Sequence, residues 1–410
     1  ASSKEAAATL AISALLRPFD AAWKEQVSDW QCWHATIEPR LPPGAPWLRN
    51  ALRASAMVLR VHQDKIYPGA MVASLSVPWG NSGDTRGGYH LVWPRDLVEC
   101  AGGLLVLGQL AEARNILRYL IATQHTEGRW DQNQWLDGKA FWNGIQLDEA
   151  GFPVLLAAML AQRHALDDIE VRDMVERSLG YIARSGPASD QDRWEEDAGV
   201  NTFTLAVCIA ALVAGADFLE PAGRDLALAI ADDWNARIED FTAVTHTELA
   251  RRLGVTGYYV RTAPTRAILD AQAFHERLPI KNLAQDPMLP ADQQIATDVL
   301  QLVRFGLRRA DDPLIVDSIR VIDALLRART PNGLSWRRYN ADGYGEHDDG
   351  RPFDGTGIGR PWPLLTGERG HYELLAGRDA LAHLHAMARM TSPGGMMPEQ
   401  IWDAAPIPEC

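Results

Sequence analysis

Glu195 and Glu399 stand far apart in the chain, each in a polar stretch that carries tryptophan: Arg193-Trp194-Glu195-Glu196-Asp197 and Pro398-Glu399-Gln400-Ile401-Trp402. Two carboxyls that a fold brings face to face suit cleavage of a glycosidic bond. One protonates the leaving oxygen, and the other activates water or attacks the sugar. The acidic neighbours Asp192, Glu196 and Asp197 predict a raised proton affinity for Glu195, as a general acid requires. Glu399 follows Met396, Met397 and Pro398 and has no acidic neighbour in sequence. A Trp-Glu-Glu string alone is weak, since a solvated acidic loop reads the same way. It gains weight from other polar-aromatic clusters at the same structural place, the start of an apolar helix.

The run Tyr89-His90-Leu91-Val92-Trp93-Pro94-Arg95-Asp96, preceded by Gly87-Gly88, leads into one such helix. Pro94 suits a first helical turn, where its missing N–H costs nothing. Arg95 and Asp96 offer a donor fork and two acceptors, a pair able to grip adjacent hydroxyls of a pyranose, with Tyr89 and Trp93 beside them. An ordinary helix cap with an ion pair is the competing reading. Gln146 and Asp148 repeat the design in the first turn of the next apolar helix, beneath Trp142, and the cap reading competes again. Gly357-Ile358-Gly359-Arg360-Pro361-Trp362 is a third loop leading into a helix, where glycines let backbone approach a ligand, or simply turn. The acidic residues Glu346, Asp348, Asp349 and Asp354 lack the spacing of a calcium loop and read as a solvated loop. No serine-nucleophile, P-loop or dinucleotide pattern is present, and no metal or other cofactor is expected.

The elements that must position these groups are helical. The 3.6-residue period dominates, with candidate helices at 47–63, 95–109, 111–124, 147–164, 168–184, 201–218, 222–243, 295–308, 313–328 and 371–390. Segments 97–108, 154–160 and 203–214 are apolar nearly all round, whereas 111–124, 168–184, 222–243 and 313–328 carry charge on one face. Alternation of buried and amphipathic helices predicts an all-α toroid of two concentric rings. A helical solenoid competes, but no repeat of fixed length is visible. The connections at 65–94, 125–146, 244–294 and 329–370 are long enough to be functional and hold most of the clusters. Residues 1–46, with a helical stretch at 5–16 and then Trp23, Trp30 and Trp33, read as a docking or linker element ahead of a main domain at 47–410.

At 410 residues two domains is the simple expectation, from which a toroid departs by extending one core around a ring. A net charge of −13 argues against nucleic acid, and no apolar run approaches the roughly 18 residues that span a bilayer. Of the 14 tryptophans, Trp93, Trp142, Trp194, Trp362 and Trp402 lie in polar loops, where a flat ring suits stacking on a sugar face. Cys32, Cys100, Cys208 and Cys410 show no metal spacing, and Cys100 and Cys208 read as buried free thiols. The Ala-Ser-Ser-Lys start shows no signal-peptide pattern and reads as a mature or trimmed terminus.

These motifs, with Thr366-Gly367-Glu368-Arg369-Gly370, resemble in order those of glycoside hydrolase family 15, which includes glucoamylases, glucodextranases and some trehalases. The likeness runs from about residue 47 to 402 and is closest to the bacterial type. It implies an (α/α)6 barrel and an inverting reaction that releases β-D-glucose from the non-reducing ends of α-glucans. By the same resemblance Glu195 is the general acid and Glu399 the general base. Arg95 and Asp96 hold the terminal glucose, Tyr89 and Trp93 wall it, and Trp142, Asp148, Glu196 and Arg360 line the first two subsites. Gln146, Trp194, Trp362 and Trp402 are further candidate sugar contacts from their clusters. A secreted or periplasmic protein is the implied setting. Bacterial members often carry an N-terminal β-sandwich, absent here, and residues 5–33 resemble the linker leading from it. The family continues into a final inner helix beyond the base, whereas this sequence ends at Cys410, so a barrel short of that helix, or closed by another element, is expected. Dextran-type hydrolysis, trehalose cleavage, glucosyl transfer and sugar binding without turnover are the competing functions.

Overall fold

The computed structural model describes residues 3–38, 46–75 and 89–407, so Gly87, Gly88 and Cys410 lie outside the described residues. In chain order the helices are α1 (Lys4–Leu16), α2 (Phe19–Ile37), α3 (Pro46–Val61), α4 (Pro94–Val106), α5 (Leu110–Thr123), α6 (Asp148–Ala161), α7 (Arg172–Ser185) and α8 (Thr202–Gly215). They continue with α9 (Pro221–Ala236), α10 (Ile238–Thr242), α11 (Glu248–Leu253), α12 (Leu300–Arg304), α13 (Pro313–Leu325), α14 (Pro363–Leu375) and α15 (Leu381–Arg389).

Composition sorts them into two layers. Helix α8 buries almost every residue, as does α6, whereas α7 buries only the stripe Met174, Val175, Ser178, Leu179 and Ile182. Helices α4, α6, α8, α12 and α14 pack as successive neighbours and form the inner layer. Outside them, α5 rests on α4 and α6, α7 on α6 and α8, α9 on α8, and α15 on α14, while α3 touches both α15 and α4. This is the expected (α/α) barrel. Close approach in the inner layer depends on glycine: a Cβ on Gly151 would meet Val207 at 2.9 Å, and one on Gly215 would meet Val154 at 2.7 Å. One continuous core runs from Ala70 to Tyr372. Among the described residues no helix follows α15.

Several elements differ from the sequence reading. The single helix expected at 371–390 is two, α14 and α15, parted where Gly377 takes the left-handed conformation, and Pro363 at the first turn starts α14 earlier. Expected helix 295–308 shrinks to α12 behind a short 3-10 turn at Thr297–Val299, and 222–243 breaks into α9 and α10. The long connections are not devoid of regular structure. They hold two antiparallel hairpins, β1 (Ala243–Thr245) with β2 (Gly257–Tyr259), and β3 (Arg327–Thr330) with β4 (Gly333–Trp336). Residues 19–37, read only as a tryptophan-bearing docking element, form the long helix α2. It docks through Trp33 and Ile37 against Ala56, with the Trp33 indole donating to Gln109 Oε1 at 3.0 Å and Arg60 stacked over Trp30 and Trp33. Helix α1 buries nothing.

Candidate active site

Glu195 sits in a loop that Asp192 organises. The buried Asp192 carboxylate accepts from the backbone N–H of Trp194 at 3.0 Å and of Glu196 at 3.1 Å through Oδ1. Its Oδ2 takes Arg261 Nη2 at 2.8 Å. The Glu195 N–H bonds the Asp192 carbonyl, and the Gln191 amide bonds the Glu195 carbonyl. This holds Glu195 at φ 69°, a left-handed conformation costly for a non-glycine residue that persists because its surroundings over-determine it. The side chain is gripped at both oxygens: the Trp93 indole donates to Oε1 at 2.7 Å and the Gln132 amide to Oε2.

Glu399 is placed by the strand of chain that crosses the α14 start. The Ile401 N–H bonds the Pro361 carbonyl at 2.9 Å. Arg360, almost wholly buried, donates to the Glu346 carbonyl, to Asp348 and to Asp403 Oδ1, and stacks 4.2 Å from the Trp402 ring. Arg337 also binds Asp403. Arg360 and Trp402 therefore anchor the Glu399 segment. They are not arranged as free sugar contacts, and Arg360's donors face the loop because its acceptors come from residues 346, 348 and 403. Glu399 stays accessible to solvent although protein surrounds it on most sides, the condition of a group inside a concave mouth.

The two carboxyls share surroundings. Tyr89 and Asp96 each lie within electrostatic reach of both Glu195 and Glu399. Rings complete the enclosure. Tyr89 and Trp93 stand 5.7 Å apart, Trp93 and Trp142 6.1 Å, Trp194 and Trp362 5.4 Å, and Tyr344 and Trp362 6.2 Å between centroids. Tyr89 and Trp142 present exposed rings, whereas Trp93 is buried and serves Glu195 through its indole N–H.

Arg95 and Asp96 divide their work differently from the expected pair. Arg95 is mostly enclosed and donates to the fully buried Asp148 at 3.1 Å, with Glu149 at 3.7 Å, whereas its distance to Asp96 is 3.7 Å. Asp96 is exposed, and its side chain is free to reach a ligand. Asp148 also accepts from Thr204 at 2.8 Å and has no exposed surface, so it fixes Arg95 and does not line the mouth. Gln146, expected beneath Trp142 as a contact, is likewise buried and donates to the Asp192 carbonyl. Both are enclosed at the start of α6 by polar partners, Asp148 by Arg95 and Thr204 and Gln146 by the Asp192 carbonyl. Glu196 is mostly enclosed too, accepting from Tyr339, Asn282 and Arg338.

Burial raises the proton affinity of Glu195; Arg95 and the Trp93 indole oppose the shift, and Asp96 adds to it. The sequence neighbours Asp192 and Asp197 pair with Arg261 and are not among the main causes of the Glu195 shift. Burial also raises Glu399, against the pull of Arg338. The groups that sequence reasoning passed over are Gln132, Arg338 and Tyr344. Arg338 clasps Asp342 with two bonds of 2.8 and 2.7 Å and lies 4.7 Å from the Tyr344 ring and 5.2 Å from the Trp194 ring. The available signal was composition: Trp130-Asp131-Gln132-Asn133-Gln134-Trp135 and Arg337-Arg338-Tyr339-Asn340 are as polar and aromatic as the clusters singled out. In the acidic run read as a solvated loop, Asp348 pairs with Arg360 and Asp349 with Arg351. Two carboxyls of raised proton affinity among aromatic rings, with an exposed aspartate in electrostatic reach of both, can hold a sugar and exchange protons with it.

The model of the glycosyl hydrolases family 15 matches residues 48–127 and 121–405. A glucoamylase from Clostridium sp. (strain G0005) is 37% identical over 361 residues, covering 86% of this chain and 49% of that protein. A bacterial glucoamylase crystallised with acarbose superposes with a TM-score of 0.86 at 33% identity, covering 98% of this chain and 58% of that one. A glycosidase solved in its wild-type form shares the fold at 20% identity, with a TM-score of 0.62 over 87% of this chain and 86% of its own. The chain thus spans about half the length of the curated relative it matches.

Proposed function

Because this chain belongs to glycosyl hydrolase family 15, we propose that it is an exo-acting, inverting α-glucoside hydrolase that releases β-D-glucose from the non-reducing ends of α-glucans. The observation that carries the reading is the shared surroundings of Glu195 and Glu399, with Tyr89 and Asp96 within electrostatic reach of both. The terminal glucose enters between the exposed rings of Tyr89 and Trp142, and Asp96 accepts from its hydroxyls. Arg95, fixed by Asp148, stands behind Asp96 and Glu195.

Glu195 delivers its proton to the glycosidic oxygen as the bond to the anomeric carbon breaks. Glu399 takes a proton from the water that attacks that carbon from the opposite face. The leaving sugar departs with a free hydroxyl, and exchange with solvent returns Glu195 to its acid form and Glu399 to its ionised form. A polymeric α-glucan does not cross membranes, so the same reading favours a secreted or periplasmic protein.

Incubation with maltose, isomaltose, dextran, starch and trehalose in parallel tests the assignment. Glucose release from the α-1,4 or α-1,6 substrates is expected, and the preferred member fixes the linkage. Longer products would mean glucosyl transfer, glucose from trehalose alone a trehalase, and binding without products a sugar-binding protein.

A further inference from the structure

The donors that reach Glu195 come from a small network of extended segments stitched to one another. Val92 and Gln134 exchange backbone bonds of 2.8 and 3.0 Å, which ties the segment bearing Trp93 to the one bearing Gln132. The Gln132 N–H donates to the Gly144 carbonyl at 2.9 Å, and the Gln191 N–H donates to the Ile145 carbonyl at 3.1 Å. Three side chains thereby converge on Glu195. The Trp93 indole donates to Oε1 at 2.7 Å, the Gln132 amide to Oε2, and the Gln191 amide to the backbone carbonyl at 3.2 Å.

Gly144 makes room for two of them. A Cβ there would lie 2.2 Å from the side-chain oxygen of Gln132 and 2.2 Å from that of Gln191, so both amides cross closely over its Cα. Gln132 is buried among these contacts. An indole or amide N–H can only donate. With one such donor on each oxygen, the proton of the acid form is confined to the lone pairs that the protein leaves open. Once that proton has passed to the glycosidic oxygen, both donors face a full negative charge, and hydrogen bonds to a charged group are the stronger kind.

Resting on the reading of Glu195 as the acid, we propose that Gln132 is its positioning residue: the amide N–H, seated over Gly144, turns the carboxyl so that its proton meets the glycosidic oxygen and steadies the carboxylate that delivery leaves behind. Gln132 acts through Glu195 and not through the sugar. Hydrogen bonds to the charged form lower a carboxyl's proton affinity, so Gln132 and Trp93 together oppose the burial that raises Glu195. The charged and titratable groups within electrostatic reach of that carboxyl are Arg95 and Asp96 of α4, Glu149 of α6, and Tyr89 ahead of α4.

The test is Gln132→Leu, close to the parent in volume, beside Gln132→Glu, which keeps the shape and replaces the donor by a carboxylate. With maltose as substrate, kcat of Gln132→Leu should fall about 10- to 100-fold, the scale of a lost hydrogen bond to a charged group. With α-glucosyl fluoride, whose leaving group needs little protonation, it should fall less than about 3-fold. KM should change less than about 2-fold. The alkaline limb of the pH–rate profile should move to higher pH, because an acid that loses a donor to its charged form holds its proton more tightly. Gln132→Glu should move that limb further, and Gly144→Ala, which drives both amides from their places, should reproduce the loss on maltose. Unchanged kcat on maltose with an unmoved alkaline limb in Gln132→Leu would overturn the proposal, as would equal loss on the two substrates, which marks a merely structural role. Glu195→Gln run alongside separates the two failures. If that variant is inactive on maltose while Gln132→Leu behaves as the parent, only this inference falls; if Glu195→Gln stays active on maltose, the assignment of the acid falls first.

Discussion

Trp93 and Gln132 each donate to one oxygen of Glu195, while Glu399 lies in the field of Arg338. The two carboxyls thus have different partners although burial raises both. On the proposed division of labour, the acidic limb of the pH–rate bell reports ionisation of the base and the alkaline limb loss of the acid's proton. Both limbs should lie above the ordinary glutamate range, because both groups are raised. Glu195→Gln should abolish maltose hydrolysis yet retain activity on α-glucosyl fluoride, whose leaving group needs little protonation. Glu399→Gln should impair both substrates; equal loss of both activities in the two variants would refute the roles. Arg95 and Asp96 separate in the same way. Asp96→Ala should lower kcat at unchanged melting temperature, since that side chain is exposed. Arg95→Ala should also destabilise the fold by about 3–5 kcal/mol, as it strands the buried Asp148 beside Glu149. Thermal unfolding with maltose kinetics distinguishes them. At this scale the sequence showed which residues cluster but not which way they face. Gln146 and Asp148 look like contacts in a motif and prove to be buried supports, because orientation at a helix start depends on the neighbouring helix.

The inner helices were legible because their apolar runs have no solvent face to disguise the pattern, as in Thr202–Gly215. Elements that break the period were not. Helices α14 and α15 merged in the sequence pattern because the Gly377 turn between them is short and flanked by periodic residues. The hairpins were hidden because each strand has only three or four residues. Behind the mouth, the turn at Thr297–Val299 places Asp298 in the core, where neither carboxyl oxygen has a hydrogen-bond partner. Arg193 lies 3.5 Å away but is engaged in two bonds with Glu368. Burial, opposed by Arg193, raises the Asp298 pKa to about 7. An unfolded aspartate releases its proton near pH ~3.9, so between that value and about 7 the folded state binds more protons, and stability falls as pH rises through the window. Asp298→Asn should flatten the decline in melting temperature between pH ~4 and ~7. A slope identical to the parent's would show that Asp298 does not govern it.

Over the whole molecule, an acidic chain of net charge −13 folds into one helical ring whose loops gather the polar and aromatic residues at a single mouth. The alternation of buried and one-faced helices predicted that ring, and the long connections predicted where chemistry would collect. What the sequence could not supply was which loops meet. The Glu399 segment is held by residues 401–403, pinned to Pro361, Arg337 and Arg360, contacts that span tens of residues and leave no local period. The pairing of Glu399 with Glu195 is the central claim, and its stereochemistry can be read directly. If the two carboxyls flank the sugar with room for a water between them, the reaction inverts. Proton NMR of maltose or maltotriose hydrolysis, followed before mutarotation, should show the β-anomeric signal of glucose appearing first. Initial release of α-D-glucose would contradict the account, since it requires a carboxylate close enough to attack the sugar itself.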